Sequence, residues 1–110
     1  MTESKKHKLC KIKCKNKLAG THNCRGEVPI NRNGAWNLLD LECPSINPKF
    51  KDCAIECEIN SNRYNRESNW KDLLAWKKKN PSGEIFQISD ALELDINKLK
   101  KRPIFQKRRF

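Results

Sequence analysis

The sequence predicts an all-α protein: a cysteine-linked antiparallel helical hairpin, two further helices and a basic C-terminal tail. Three observations carry that expectation. The six cysteines are spaced as a palindrome, Cys10-x3-Cys14-x9-Cys24-x18-Cys43-x9-Cys53-x3-Cys57. Their outer, middle and inner pairs have residue numbers that each add up to 67, as an antiparallel hairpin requires, since each residue on the way out meets one on the way back. Both Cys-x3-Cys pairs have the spacing of one helical turn, and helix start and stop signals flank them. The palindrome selects one pairing: Cys10 with Cys57, Cys14 with Cys53, Cys24 with Cys43.

Taken in order, Glu3 or Ser4 opens a helix that runs to about Leu18 and stops at Gly20. Cys10 and Cys14 share one face of it, and lysines at 5, 8, 11, 13, 15 and 17 surround the remainder. Leu9, Ile12 and Leu18 are its only large apolar residues, so it needs a partner. Residues 19–46 read as a loop, because Gly20, Gly26, Pro29, Asn31, Asn33 and Gly34 break periodicity, with one or two helical turns in Ala35–Leu41. Trp36 there plugs the open end of the hairpin; the alternative, stacking on a base, needs an exposed ring. Asn47 as cap and Pro48 as first residue launch the return helix to about Asn60, carrying Phe50, Cys53, Ala54, Ile55 and Cys57.

A third helix follows the polar break NSNRYNRES, capped by Ser68, with Trp70, Leu73 and Leu74 as its apolar face. Lys77, Lys78 and Lys79 complement its C-terminal dipole before Pro81 and Gly83 end it. The segment Glu84–Lys101 holds Ile85, Phe86 and Ile88, then a capping Ser89 and Leu92, Ile96 and Leu99 at helical spacing. Its run ISDALELDINKLKK faintly resembles a helix-turn-helix, although Asp95 stands at the usual turn glycine and Lys101 at an apolar slot. The domain plan is thus 1–62, 63–101 and a tail 102–110.

With 110 residues, 36% hydrophobic and 34% charged, the chain has little material for a large core, so cross-links, a metal or a partner must supplement it. Net charge is +11, with +7 in residues 1–25 and again in 98–110. Such clusters are the footprint of a phosphate polymer. The expected nucleic-acid contacts are Lys5, Lys6, Lys8, Lys11, Lys13, Lys15, Lys17, Arg25, Lys77, Lys78, Lys79, Lys100, Lys101, Arg102, Lys107, Arg108 and Arg109. In the tail, Arg108 and Arg109 suit phosphate forks, with Phe105 and Phe110 to stack or plug. No apolar run is long enough to span a membrane, and MTESKKHK lacks the apolar region of a secretory signal.

The cysteines admit disulfides, zinc or free thiols. In the disulfide reading no cofactor is needed. In the zinc reading Cys10, Cys14, Cys53 and Cys57 make an all-cysteine site, with His22, Cys24 and Cys43 as substitutes. The segments Cys14-x9-Cys24 and Cys43-x9-Cys53 resemble the twin Cys-x9-Cys, or coiled-coil-helix-coiled-coil-helix, proteins of mitochondria, although Gly20 and Pro48 interrupt stretches that are helical in that family. The Cys-x3-Cys pairs alone also resemble the small mitochondrial import chaperones and the alpha-hairpinins. The first resemblance implies a helical hairpin oxidised in the intermembrane space and a structural or assembly role, including that of a basic mitochondrial ribosomal protein.

No Gly-rich phosphate loop, no His-Glu-x-x-His and no carboxylate partner for His7 or His22 points to an enzyme or a small-molecule substrate. The expectation is therefore a non-enzymatic RNA-binding subunit of a large ribonucleoprotein, a mitochondrial ribosomal protein, contacting RNA and neighbouring proteins. Its alternatives are a zinc-binding DNA- or RNA-binding regulator, cytoplasmic or nuclear and of viral type among others, and a respiratory-complex subunit or assembly factor.

Overall fold

The computed structural model describes residues 4–59 and 63–101, and it overturns the all-α expectation with a four-stranded mixed sheet and two α-helices. The elements are α1 (Lys5–Leu18), β1 (Arg25–Arg32), β2 (Ala35–Cys43), β3 (Cys53–Cys57), α2 (Arg63–Lys79) and β4 (Glu84–Ile88), followed by 3-10 turns at Ala91–Glu93 and Ile96–Leu99. In the sheet order β1-β2-β3-β4 the first two pairings are antiparallel and β3–β4 is parallel. A parallel pair needs a crossover, which α2 supplies.

The helical hairpin expected between residues 4–18 and 47–60 does not form; the hairpin present is β1–β2, inside the stretch read as loop. Asn33 and Gly34 both have positive φ, 53° and 92°, the pair of left-handed residues that a two-residue hairpin turn demands. Across β1 and β2, Arg25 faces Glu42, Ile30 faces Asn37 and Arg32 faces Ala35, and each such pair of numbers adds up to 67. Cys24 and Cys43 continue that register one step beyond the ladder and form a disulfide, with Cα atoms 3.9 Å apart. For that inner pair alone the constant sum was a strand register, since Cys10 and Cys14 lie on α1, and the Asn-Gly dipeptide, read as a periodicity breaker, was its turn.

The return arm is likewise a strand. Asn47 caps nothing helical; its Oδ1 accepts from Lys49 N at 2.9 Å and closes a side-chain turn between β2 and β3. Burial on both faces holds β3 in the middle of the sheet, between β2 and β4, whatever its helical punctuation. Cys53, Ile55 and Cys57 pack on one side with Cys10, Cys14 and Leu18 of α1, whereas Ala54 packs on the other with Leu73 and Trp76 of α2. The helices therefore cover opposite faces of the sheet.

Helix α2 begins ahead of Ser68, whose carbonyl accepts from Arg32 Nη1 at 2.7 Å. Its inward stripe is Asp72, Leu73 and Trp76, while Trp70 and Leu74 are exposed, so the stripe is one step out of phase with the expected one. The Trp76 ring lies against Gly83, where any Cβ would collide with it. No helix-turn-helix forms in residues 88–101: Ile88 ends β4, and Asp90 and Asp95 each cap a single turn by accepting from Leu92 N and Asn97 N. Leu94 and Leu99 are the buried leucines there, and Leu92 faces solvent. The basic tail expected at 102–110 lies outside the described residues.

Candidate thiol centre and basic face

Ser4 starts α1 by accepting from His7 N at 3.1 Å, satisfying one of the orphan donors of the first turn. From there Cys10, Cys14 and Leu18 fall on one face and are the residues of α1 that bury. Cys57, at the end of β3, meets the two helical cysteines: the sulfurs of Cys10, Cys14 and Cys57 all lie within 4.8 Å of one another and could hold a metal ion. All three are free, as is the buried Cys53.

Cys53 is not part of this group. On a strand, four residues span about 13 Å, so Cys53 and Cys57 cannot ligate one ion as they would from adjacent turns of a helix. Cys53 instead faces Cys43 across the β2–β3 ladder. His22 also drops out as a ligand. Its ring is buried with Nδ1 2.7 Å from Thr21 Oγ1 and Nε2 2.7 Å from the Lys51 carbonyl, and Cys24 and Cys43 are consumed in their disulfide. The expected links Cys10–Cys57 and Cys14–Cys53 are absent, although the first pair does lie within the cluster.

The thiols differ in acidity. Burial pushes Cys10 up to about 11 and, with the Asp52 carboxylate, Cys53 up to about 12. Cys14 is lowered, chiefly because Cys57 donates a hydrogen bond to it, with Cys10 and Lys17 helping against burial. Cys57, the donor, is raised by that same bond and by burial. Cys14 is thus the group's most acidic sulfur.

Beside Cys57 the sheet is irregular. Regular β2–β3 pairing stops at Leu41 opposite Ile55. Beyond it carboxylates replace the ladder: Asp40 Oδ2 accepts from Cys57 N at 2.8 Å, and Glu56 Oε2 accepts from Asp40 N at 2.7 Å. Opposite Asp40, Glu27 has φ 53° and makes no ladder pair. Leu39 and Leu41, two residues apart, accordingly reach opposite cores, which an undistorted strand forbids. His7 Nε2 lies 3.1 Å from Asp40 Oδ2, so Asp40 joins α1 to the end of β3. Glu56 is only 2% exposed, and burial together with the Asp40 carboxylate pushes it up to about 9. Sequence reasoning found no partner for His7 because Asp40 lies in what was read as loop.

The other candidate feature is electrostatic. Lys5, Lys6, Lys8, Lys13, Lys15 and Lys17 are exposed on α1, with Leu9 and Ile12 among them, and Lys11 is half-buried with Nζ 4.0 Å from Glu27. A cleft between α1 and the hairpin is lined by Lys8, Lys11, Ile12, Lys15 and Leu41. Further along the hairpin, the pairs Pro29–Leu38 and Asn31–Trp36 turn one face away from α2, on the α1 side of the sheet. Trp36 on that face is 65% exposed and Leu38 59%, so Trp36 does not plug the fold and meets the condition for stacking.

The remaining expected cations are scattered. Arg25 pairs with Glu42 at 2.6 Å, and Lys77 donates to the Pro81 and Gly83 carbonyls at the end of α2. Lys78, Lys79, Lys100 and Lys101 are exposed; Arg102, Lys107, Arg108 and Arg109 lie outside the described residues, as do Phe105 and Phe110. Among the described residues no helix is long and apolar enough to cross a membrane. Comparison with known proteins finds no match: no family model, no curated protein and no solved structure is significantly similar to the chain.

Proposed function

We propose that this chain is a non-enzymatic RNA-binding protein, a subunit of a ribonucleoprotein, that contacts RNA through the outer face of α1 and the open face of the β1–β2 hairpin. The observation that carries the reading is that five outward lysines of α1, at 5, 6, 8, 13 and 15, and the exposed Trp36 ring lie on the same side of the sheet. Lysines bind phosphate without reading sequence, and an exposed indole stacks on an unpaired base. A protein partner alone does not call for such a density of positive charge. The mitochondrial ribosomal form of this reading came from a resemblance to helical hairpins, and with Cys43, Cys53 and Cys57 on strands the proposal stops at the ribonucleoprotein.

Titration of a single-stranded RNA at several salt concentrations tests it. Affinity falls steeply with salt, and changing Lys5, Lys6, Lys8, Lys13 and Lys15 to Gln flattens the logarithmic slope by about 0.7 for each phosphate no longer neutralised. Binding that ignores salt sinks the reading and favours an apolar protein partner. The second reading, a zinc-dependent nucleic-acid regulator, is favoured by the buried thiol group of Cys10, Cys14 and Cys57. Its helix-turn-helix, however, is replaced by β4 and two 3-10 turns.

A further inference from the structure

Helix α1 has an unusual attachment. Of the 14 residues in the helix, Cys10, Cys14 and Leu18 bury, and two of these three are thiols aimed at a third thiol on β3. Leu9 and Ile12, the apolar residues that would ordinarily glue a helix down, face solvent. Polar ties supplement the contact: His7 to Asp40, Lys17 Nζ to the Ala91 carbonyl at 3.0 Å, and Lys11 to Glu27. A lysine-studded helix of this length has little stability alone, and its charges repel one another.

The geometry of the three sulfurs suits an ion. In a tetrahedral zinc site with Zn–S bonds of about 2.3 Å, neighbouring sulfurs sit roughly 3.8 Å apart. The observed group, all within 4.8 Å, reaches that spacing with shifts of about an ångström or less. Thiolates select soft or borderline cations over magnesium or calcium. A disulfide inside the group would always strand the third thiol, whereas an ion uses all three. On its open side, Cys10 lines a cleft walled by Lys6, Lys13, Ser89 and Asp90, which leaves room for a fourth ligand.

We propose that Cys10, Cys14 and Cys57 bind one Zn2+ ion as thiolates, with the fourth position toward the Asp90 cleft, and that this ion clasps α1 to the sheet and so controls presentation of its lysine face. Three S–H bonds are exchanged for three Zn–S bonds, and the three protons leave to solvent; no oxidant or reductant takes part. Binding and docking of α1 are then one equilibrium. The control of RNA affinity rests on the RNA-binding reading, whereas the ion site does not.

The experiment uses the full chain under conditions that keep thiols reduced outside the Cys24–Cys43 bond. Metal analysis after loading with Zn2+ gives one ion per chain, and Co2+ in its place gives the intense thiolate charge-transfer bands of a cysteine-rich tetrahedral site. Cys53→Ser keeps the ion, whereas Cys57→Ser loses it. Because a failure of Cys57→Ser to fold would mimic that loss, hydrogen exchange of the wild-type chain provides the second readout. Chelation speeds exchange along α1 and leaves α2 protected, while affinity for an oligouridine falls about tenfold or more as the undocked α1 releases its phosphates. Equal loss of the ion in Cys53→Ser and Cys57→Ser, α1 protection indifferent to chelation, or a Cys10–Cys57 or Cys14–Cys57 disulfide in the thiol-trapped native chain each overturns the proposal. If Zn2+ orders α1 but oligouridine binds neither form, the clasp stands and the RNA-binding reading falls.

Discussion

The two helices cover opposite faces of one sheet, yet they are held by different physics. Helix α2 is held by ordinary burial: Leu73 and Trp76 pack with Ile30, Leu39 and Ala54, and Trp76 fills the space above Gly83. Its polar contacts complete the seat. Trp76 Nε1 donates to Glu42 Oε2 at 2.8 Å, and Asp72 is met by Arg32 at 3.3 Å and by Asn37 at 3.1 Å. Helix α1 offers one leucine, two thiols and a ring of lysines. The difference teaches that a helix can be permanent architecture or conditional equipment, according to whether its inward face is hydrocarbon or chemistry.

Trp76 is the largest side chain that seats α2. Trp76→Ala removes a fully packed aromatic and leaves the half-buried Glu42 carboxylate without its indole donor, at a cost of about 3–5 kcal/mol. In thermal melts that loss is the same with and without Zn2+, because α2 does not depend on the ion; a loss confined to the zinc-free chain would break the division drawn between the helices. Next in size is the Cys24–Cys43 bridge. It closes a loop with a sequence separation of 19 residues, and replacing both cysteines by alanine costs about 3 kcal/mol in the loop-entropy model. Denaturant unfolding of that double variant shows the reduced midpoint, whereas an unchanged midpoint would mean that the bridge adds nothing to stability.

Gly83→Ala forces a methyl group against the Trp76 ring, an overpacking that costs about 1–3 kcal/mol and unseats α2 while leaving the Co2+ spectrum of the thiol group intact. The smallest effect is at Glu56. Since burial and Asp40 raise its carboxyl so far, Glu56→Gln keeps a neutral group of the same shape, and its unfolding free energy at neutral pH stays within about 1 kcal/mol of wild type. Glu56→Ala, which leaves Asp40 N without its acceptor, costs more than the glutamine variant. Equal losses for the two would mean that shape and hydrogen bonding at this position contribute nothing.

Of the expected hairpin only the inner pair, Cys24 with Cys43, was legible in the sequence; its two arms do not pair, and β1 and β2 lie in the stretch read as loop. The sum set by Cys24 and Cys43 is a register that β1 and β2 obey to the residue, and the first helix, its cap and its cysteine face were readable from Ser4, Cys10 and Cys14. What failed was the choice of period. Cys53 and Cys57 suggested a helical turn, but four residues also return to the same face of a strand, and spacing alone does not separate the two. Asn33-Gly34 between Val28-Pro29-Ile30 and Leu38-Leu39 was the available signal for strands. The thiol group was half visible: Cys10, Cys14 and Cys57 were named together, but Cys53 was added to them on helical geometry. Trp36 was misplaced because a tryptophan among leucines reads as core, whereas alternation along β2 sends Leu39 inward and Trp36 and Leu38 outward. The turnover of β2 at Asp40, with its carboxylate ladder, has no local sequence signature, since it depends on Glu56 and Cys57 arriving beside it from a distant strand.

In the function proposed above, RNA meets the α1 side of the sheet. Mapping of amide and indole shift changes by nuclear magnetic resonance, as a single-stranded RNA is titrated into the zinc-loaded chain, tests it most directly. The changes are expected to concentrate on Lys5–Lys17 of α1 and on the Trp36 indole, with the Trp76 indole unmoved. Changes centred on the exposed Trp70 and Leu74 of α2, with α1 and Trp36 silent, would contradict the claim.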